Sequence, residues 1–212
     1  SHRTHMAGDI HSRFDELEHQ TATVAGRITG IRKFGKLAFV VVKDFSGEIQ
    51  LFLQEGHVSE RDAAIGRLSI ADLPLLDTAD FVEATGEIIK SKTGEVSLYV
   101  TDLRLLTKAL RPLPSAQEGF TNKEERMRRR YVDMNANQEV RDRFVRRSKF
   151  WQATRDYLNE NGFLEINIPV LEHTTGGADA NPFVTHMDAL DQDFYLRISH
   201  ELPLKRLIGA GY

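Results

Sequence analysis

The chain has 212 residues, of which 41% are hydrophobic and 28% charged, and its formal net charge at pH 7 is -3. This length and composition suffice for a buried core in one or two globular domains, and the absence of cysteine excludes disulfides, thiolate metal sites and a cysteine nucleophile. No apolar run approaches the roughly 20 residues of a membrane span and no secretory leader is visible, so the sequence predicts a soluble cytoplasmic protein.

The first residues differ in character from the rest. Ser1 to His5, before Met6, is typical of a cloning remnant, so residues 1–6 are set apart from functional reasoning. Residues 7–22 are predicted to form an amino-terminal lead-in, with a short helix from Ile10 to His19.

Turn-forming sequences break the stretch from Arg27 to Leu53 into three short β-rich runs. Alternation places one set of apolar side chains of the second and third runs on a common core face: Ala38, Val40, Val42, Ile49, Leu51 and Leu53. The opposite face carries Phe39 and Gln50. Arg32 joins that face if Gly30 marks a bulge that resets the alternation.

Arg32, Phe39 and Gln50 are candidate nucleic-acid-binding residues. An exposed ring can stack on a splayed-out base, an arginine can contact phosphate, and an amide can read a base edge. The alternative is a Phe39 partly covered by its own sheet among ordinary solvated charges. The pattern alone leaves both interpretations open.

Further elements complete a barrel pattern. Ser59-Glu60-Arg61-Asp62 predicts a capping box for one helix over residues 63–68. Two more strands are predicted, Asp80 to Lys90 and Val96 to Leu106, around a tight connection. Three strands, a helix and two strands is the order of the five-stranded OB barrel, which often binds single-stranded nucleic acid. We therefore predict an OB-fold domain over residues 23–108.

A linker is predicted over residues 109–136, because Pro112 and Pro114 forbid regular pairing and Gly119 adds a breaker. A densely charged run, Glu124 to Arg130, follows. Residues 123–149 hold ten Lys or Arg against five Asp or Glu. Such a run is typical of a solvated helix face, and direct contact with an RNA backbone is the alternative.

From Asn137 the apolar period becomes helical. The stripe consists of Val140, Phe144, Trp151 and Leu158, and Asn161-Gly162 offers a left-handed stop, which predicts a helix of about six turns. The short segment that follows cannot cover so much apolar surface. The stripe therefore favours burial in a second subunit, with burial in the rest of its own domain as the alternative.

The last part of the chain contains short predicted elements and weak site signals. Strands are predicted from Phe163 to Ile168 and from Phe194 to Ile198, and a helix from Glu201 to Leu207. The loop of residues 174–179 lacks the lysine of a P-loop. Its acidic neighbours have no metal-ligand spacing, so no metal site is predicted.

Several segments resemble the class II lysyl-tRNA synthetases over nearly the whole chain after residue 6. They are Gly26-Arg27, the Gly35-Lys36 turn, GEIQLFL at 47–53, TDLRLLTKALRPLP at 101–114, EERMRRRYVDM at 124–134 and RRSKFWQATRDYLNENGFLEINIPVL at 146–171. The last contains class II motif 1, Gly162 to Pro169, which in the family forms the dimer interface. GGADANPF and the residues after it resemble the segment that contributes to the lysine pocket.

The resemblance implies a multi-domain α+β fold, in which the five-stranded OB-fold barrel is followed by the start of an antiparallel α/β class II catalytic domain over residues 137–212. It implies that Arg32, Phe39 and Gln50 read the central uridine of the anticodon. Gly177 would contact the lysine substrate through its backbone, and Glu201 would face the substrate's α-amino group. The chain departs from the family at Asn181, His200 and Pro203, where Arg, Pro and Tyr are usual.

The implied function is that of a lysine–tRNA ligase, which activates L-lysine with ATP and Mg2+ and transfers it to tRNA(Lys) as a homodimer. Motifs 2 and 3 are missing, so the chain is expected to be an amino-terminal fragment that binds the anticodon, holds neither ATP nor Mg2+, and is inactive alone. No membrane or DNA partner is expected. One alternative is a relative of the aspartyl- or asparaginyl-tRNA synthetases, although the segments TKALRPLP and GGADANPF favour lysine. The other is a catalytically silent OB-fold RNA-binding paralogue.

Overall fold

A computed structural model of the chain describes residues 1–111, 113–114 and 120–212. The chain divides into two compact units, Ser1–Val140 and Arg141–Tyr212. Pro112 and Gly119, which motivated the predicted linker, lie outside the described residues, and the predicted domain boundaries stay predictions.

The strands of the first unit are β1 (Thr21–Phe34), β2 (Leu37–Lys43), β3 (Glu48–Gln54), β4 (Arg67–Leu68), β5 (Phe81–Lys90) and β6 (Val96–Thr107). Its helices are α1 (Ala7–Ser12), α2 (Phe14–Leu17), α3 (Lys123–Arg128) and α4 (Arg130–Ala136). Helix α5 (Gln138–Glu160) follows. The predicted helix from Ile10 to His19 is thus two shorter helices, α1 and α2, which bury Ile10 and Leu17.

Five strands close into a barrel. Antiparallel neighbours follow the order β3-β2-β1-β5-β6, and β3 pairs in parallel with β6 to close the ring. The predicted core face is confirmed, since the side chains assigned to it are at most 2% exposed: Ala38, Val40, Val42, Ile49, Leu51 and Leu53. Val24, Ile88 and Leu98 fill the interior from the other strands. Alternating branched apolar residues therefore produce the predicted five-stranded barrel.

A bulge in β1 sets which residues reach the outer face. Ile28 pairs with Val42 but Gly30 pairs with Val41, so Thr29 is the extra residue. After this shift Ile31 packs against the core and Arg32 lies opposite Phe39. The predicted bulge at Gly30 is confirmed, and it moves Arg32 to the face that carries Phe39.

The connection between β3 and β5 differs from the prediction of one helix. Two short 3-10 helices, Ala63–Ile65 and Ile70–Leu75, stand on either side of β4. Asp62 accepts a hydrogen bond from the Ala64 amide at 3.0 Å, but Gly66 at φ 71° ends that turn. The prediction was wrong because a capped start does not make a helix when a left-handed glycine follows within one turn.

The second unit contains most of α5, then β7 (Leu171–Glu172), β8 (Val184–Met187), β9 (Gln192–Leu196) and α6 (Glu201–Gly209). The three strands form an antiparallel sheet in the order β7-β9-β8. Helix α5 confirms the predicted long helix. It ends at Glu160, Gly162 follows with φ 80°, and the Phe163 amide donates to the Leu158 carbonyl at 3.0 Å.

The predicted strand from Phe163 to Ile168 is wrong for this structure. The segment pairs with no strand among the described residues, and Phe163 and Leu164 are 65% and 66% exposed. Alternation shows only that a segment can be a strand, because a strand also needs a hydrogen-bonding neighbour. The predicted elements 194–198 and 201–207 are present, as β9 and α6.

Most of the apolar stripe of α5 is exposed. Val140 is buried, but Phe144, Trp151 and Leu158 are 40%, 49% and 40% exposed. Within the described part of the chain, no helix has both the length and the apolar character needed to cross a membrane.

Candidate nucleic-acid interface

Four side chains form a row across four strands on the outer face of the barrel. Arg32 of β1 lies opposite Phe39 of β2, which lies opposite Phe52 of β3, which lies opposite Tyr99 of β6. We call Arg32, Phe39, Phe52 and Tyr99 the aromatic row. Side chains directly opposite each other on neighbouring strands are close enough to stack, so the sheet register alone assembles this surface.

The rings of the aromatic row are nearly parallel. The ring centroids of Phe39 and Phe52 are 5.3 Å apart with 16° between planes, and those of Phe52 and Tyr99 are 5.1 Å apart with 20°. His57 stacks on Tyr99 with a centroid distance of 3.7 Å. The Tyr99 hydroxyl donates to Oε1 of Gln54 at 2.9 Å. These contacts hold the rings in place, so little side-chain entropy is lost when a base stacks on them.

Phe39 is half-buried rather than fully exposed. Its neighbour Phe52 covers one side, and Phe34 approaches its edge with a centroid distance of 6.2 Å. The structure therefore shares features with both earlier interpretations of Phe39, since the ring is partly covered by its own sheet and still lies on an outward face beside an exposed arginine.

Gln50 lies two residues before Phe52 on β3, between Val41 of β2 and Ser97 of β6. Its Nε2 donates to Oγ of Ser97 at 3.0 Å. Nη2 of Arg32 donates to its Oε1 at 3.4 Å. The three residues chosen from the sequence, Arg32, Phe39 and Gln50, are thus neighbours on one surface.

Phe52, Tyr99 and His57 were not among the residues chosen from the sequence. Phe52 follows Gln50 by two residues on β3, so alternation puts both on the same face and a signal for Phe52 was available. Nothing comparable existed for Tyr99, because the parallel pairing of β3 with β6 joins segments far apart in the chain.

The basic segment of α3 and α4 is largely paired with its own acids. Arg126 and Arg130 contact the buried carboxylate of Asp133 at 2.9 and 2.6 Å. The remaining pairs are Arg128 with Glu124 and Arg129 with Glu125. Burial alone would raise the pKa of Asp133, but hydrogen bonds from Asn137 and the two arginines outweigh burial and hold that pKa below its ordinary value. This pairing favours the solvated-helix interpretation over phosphate binding.

In the second unit, Gly177 and Glu201 are in contact range. Gly177 has φ 80°, and a Cβ added there would come within 2.8 Å of the Glu201 Cβ, so a side chain at this position would collide with the start of α6. The Glu201 carboxylate pairs with Lys205 one turn later, and both side chains are substantially exposed.

The chain departs from the family pattern at three positions in this unit. Asn181 and His200 are exposed, while Pro203 is buried in the first turn of α6.

Comparisons with known proteins match both parts of the chain. Residues 22–106 match the family described as OB-fold nucleic acid binding domain, and residues 122–212 match tRNA synthetases class II (D, K and N). A lysine–tRNA ligase of Clostridium perfringens (strain SM101 / Type A) is 44% identical over 210 residues, covering 99% of this chain and 40% of the relative. One from Clostridium botulinum (strain Langeland) is 41% identical with the same coverage. The chain thus spans about two fifths of the length of these curated relatives.

Proposed function

We propose that this chain is an amino-terminal part of a lysine–tRNA ligase and that its barrel binds the anticodon of tRNA(Lys), because it matches an OB-fold nucleic acid binding domain followed by a class II synthetase family. The observation that carries this proposal is the outer face of the barrel, where Arg32, Phe39 and Gln50 are neighbours. Such a face offers a stacking ring, a cation and an amide within the reach of one nucleotide.

The central anticodon base is the proposed ligand of this face. Phe39 stacks on the base, the Arg32 guanidinium donates to a phosphate or to a base carbonyl, and the Gln50 amide contacts the Watson–Crick edge. An aromatic ring accepts any base, because every base has a π face, so stacking supplies affinity and the polar groups supply discrimination.

Discrimination at this base is testable through Gln50. We expect replacement of the central uridine by cytidine in a lysine-tRNA anticodon stem-loop to weaken binding to the wild type by about tenfold or more, and to weaken binding to Gln50→Ala much less. Fluorescence anisotropy titrations at one fixed salt concentration measure both penalties. Gln20→Ala, which removes an exposed amide that donates to the Glu16 carbonyl away from this face, is the matched control. Equal penalties in the wild type and Gln50→Ala would show that this amide does not read the base.

For the full-length enzyme we propose activation of lysine with ATP and Mg2+, followed by transfer to tRNA(Lys), in the cytoplasm. Glu201 attracts the α-amino group of lysine, and Gly177 lets the substrate approach the backbone, because a side chain there would fill the space before α6. Among the described residues, no group of three or more His, Asp or Glu is arranged to hold a metal ion. We assign no step to the metal here.

We further propose that the parent enzyme is a homodimer that buries the stripe of α5 and the extended segment of residues 163–168. The exposed stripe contains Trp151, which is the only tryptophan in the chain. Burying apolar side chains in a subunit interface contributes about 25 cal/mol per Å² of apolar surface, and a segment that alternates like a strand can gain a strand neighbour from another chain.

Dimerisation can be measured through that tryptophan. With rising concentration into the micromolar range, light scattering should give twice the chain mass, while Trp151 emission should shift to the blue as its 49% exposed indole becomes buried. Leu158→Asp should abolish both changes, whereas Asp156→Asn on the same helix should alter neither. A monomer mass throughout, with constant emission, would count against an interface on this helix.

A further inference from the structure

Ser97 is a buried hydroxyl beneath the proposed anticodon-binding face. It is 0% exposed and lies on β6 directly opposite Gln50. Its Oγ donates to the Glu95 carbonyl at 3.1 Å and accepts from Nε2 of Gln50 at 3.0 Å. A hydroxyl has only one proton to donate. Since that proton is directed to Glu95, Ser97 can only accept a hydrogen bond from Gln50.

This arrangement fixes which end of the Gln50 amide faces which way. The NH2 group must point at Ser97, so Oε1 lies on the other side, where it accepts from the Arg32 guanidinium at 3.4 Å. A guanidinium only donates hydrogen bonds, so Arg32 favours the same orientation. The Arg32 contact is longer and more exposed, which makes Ser97 the stronger of the two constraints.

An amide fixed in this way distinguishes the two pyrimidines. Uracil presents an N3–H donor at its Watson–Crick edge, which can donate to Oε1. Cytosine presents an N3 lone pair at the same place, and two acceptors facing each other form no hydrogen bond. An amide free to rotate by 180° could instead offer its NH2 group to cytosine, so fixing the amide is what makes the preference strong.

We infer that Ser97 is the positioning residue that makes Gln50 selective for uridine over cytidine at the central anticodon base. This inference rests on the proposed function and adds to it a residue that does not touch the RNA. The hydroxyl acts through its fixed proton, and its removal releases the amide while leaving the aromatic row in place.

The first experiment measures, in three proteins, the factor by which replacing the central uridine by cytidine weakens binding. We call this factor the cytidine penalty. Anisotropy titrations with matched stem-loops should give the wild type a penalty of about tenfold or more, and Ser97→Ala a penalty of about threefold or less, mainly through tighter binding of cytidine. Thr23→Val is the matched control. It removes a mostly buried hydroxyl that contacts Thr85 at 2.9 Å on the β1–β5 side of the barrel, and it should keep the wild-type penalty.

A second measurement needs no RNA, and its decisive part uses the wild type alone. In 15N NMR spectra of the wild type, one proton resonance of the Gln50 side-chain amide should be shifted from its value in free glutamine and should exchange slowly with solvent, because that N–H is bonded to a buried oxygen. In Ser97→Ala that resonance should move toward its value in a free glutamine side chain. A rapidly exchanging, unshifted Gln50 amide in the wild type would overturn the inference directly.

The possible results distinguish a failure of the role assigned to Ser97 from a failure of anticodon binding itself. A wild type that prefers uridine, together with a Ser97→Ala variant that keeps the full penalty, would overturn the role of Ser97 and leave anticodon binding intact. A wild type that binds neither stem-loop would overturn anticodon binding, and with it the selectivity assigned to Ser97, even if the NMR spectra showed a fixed amide.

Discussion

Phe39→Ala should weaken binding of a lysine-tRNA anticodon stem-loop by about 1–3 kcal/mol, which is roughly 5- to 150-fold in Kd. The reason is the loss of the ring that we propose stacks on the central base and that continues the parallel series through Phe52 and Tyr99. The melting temperature should change by only a few degrees, because Phe39 is half-buried on the outer face and the barrel core beneath it is untouched.

Phe81→Ala is the matched control for that experiment. Phe81 is 37% exposed on β5 and packs under the Arg27 guanidinium at 4.4 Å, so its removal also deletes an outer-face ring from the same barrel. It should leave RNA affinity within about twofold of the wild type, since it lies outside the aromatic row. A Phe39→Ala protein that melts far lower but binds normally once folded would mean that the ring serves packing.

The 212-residue chain should show no lysine-dependent ATP-pyrophosphate exchange, whereas a protein extended with the downstream sequence of its relatives should show it. Gly177 and Glu201 form one wall of the proposed lysine pocket, and Glu201 is exposed and paired with Lys205. An exposed ion pair contributes about 0–1 kcal/mol, whereas millimolar affinity requires about 4 kcal/mol. The described carboxylate alone therefore cannot hold lysine for the reaction.

In the extended enzyme, Glu201→Ala should lower kcat/KM for lysine by roughly 10- to 150-fold, the equivalent of losing one charged hydrogen bond of about 1.5–3 kcal/mol. Lys205→Ala is the control, because it breaks the same ion pair in α6 and keeps the carboxylate. A comparable loss in both variants would assign the effect to the helix. Exchange by the 212-residue chain that survives Glu201→Ala, after removal of host synthetase, would require an active site elsewhere.

The barrel was accessible from the sequence because its signals are local. Alternation in β2 and β3 identified the core face, and Gly30 predicted the bulge that brings Arg32 beside Phe39. Tyr99 and Ser97 were not accessible in this way, because they reach the surface only through the parallel closure of β3 on β6. A pairing between distant segments leaves no periodic trace in either strand.

The wrong predictions share one physical cause, which is that a local signal describes what a segment can form rather than what surrounds it. Asp62 caps a turn that Gly66 ends at once. Residues 163–168 alternate like a strand but have no strand beside them among the described residues. The binding roles assigned to the site residues stay predictions, because a role also depends on the ligand and not only on the geometry. These residues are Arg32, Gln50, Gly177 and Glu201.

The most direct test of anticodon reading by the barrel is a map of the RNA footprint. Backbone and side-chain NMR signals of the chain should be followed as a lysine-tRNA anticodon stem-loop is added. We expect the largest shifts at Arg32, Phe39 and Gln50, with the aromatic side chains of Phe52 and Tyr99 next and little change at Arg128 or Arg129. Shifts confined to the basic residues of α3 and α4, with the aromatic row unchanged, would contradict this expectation.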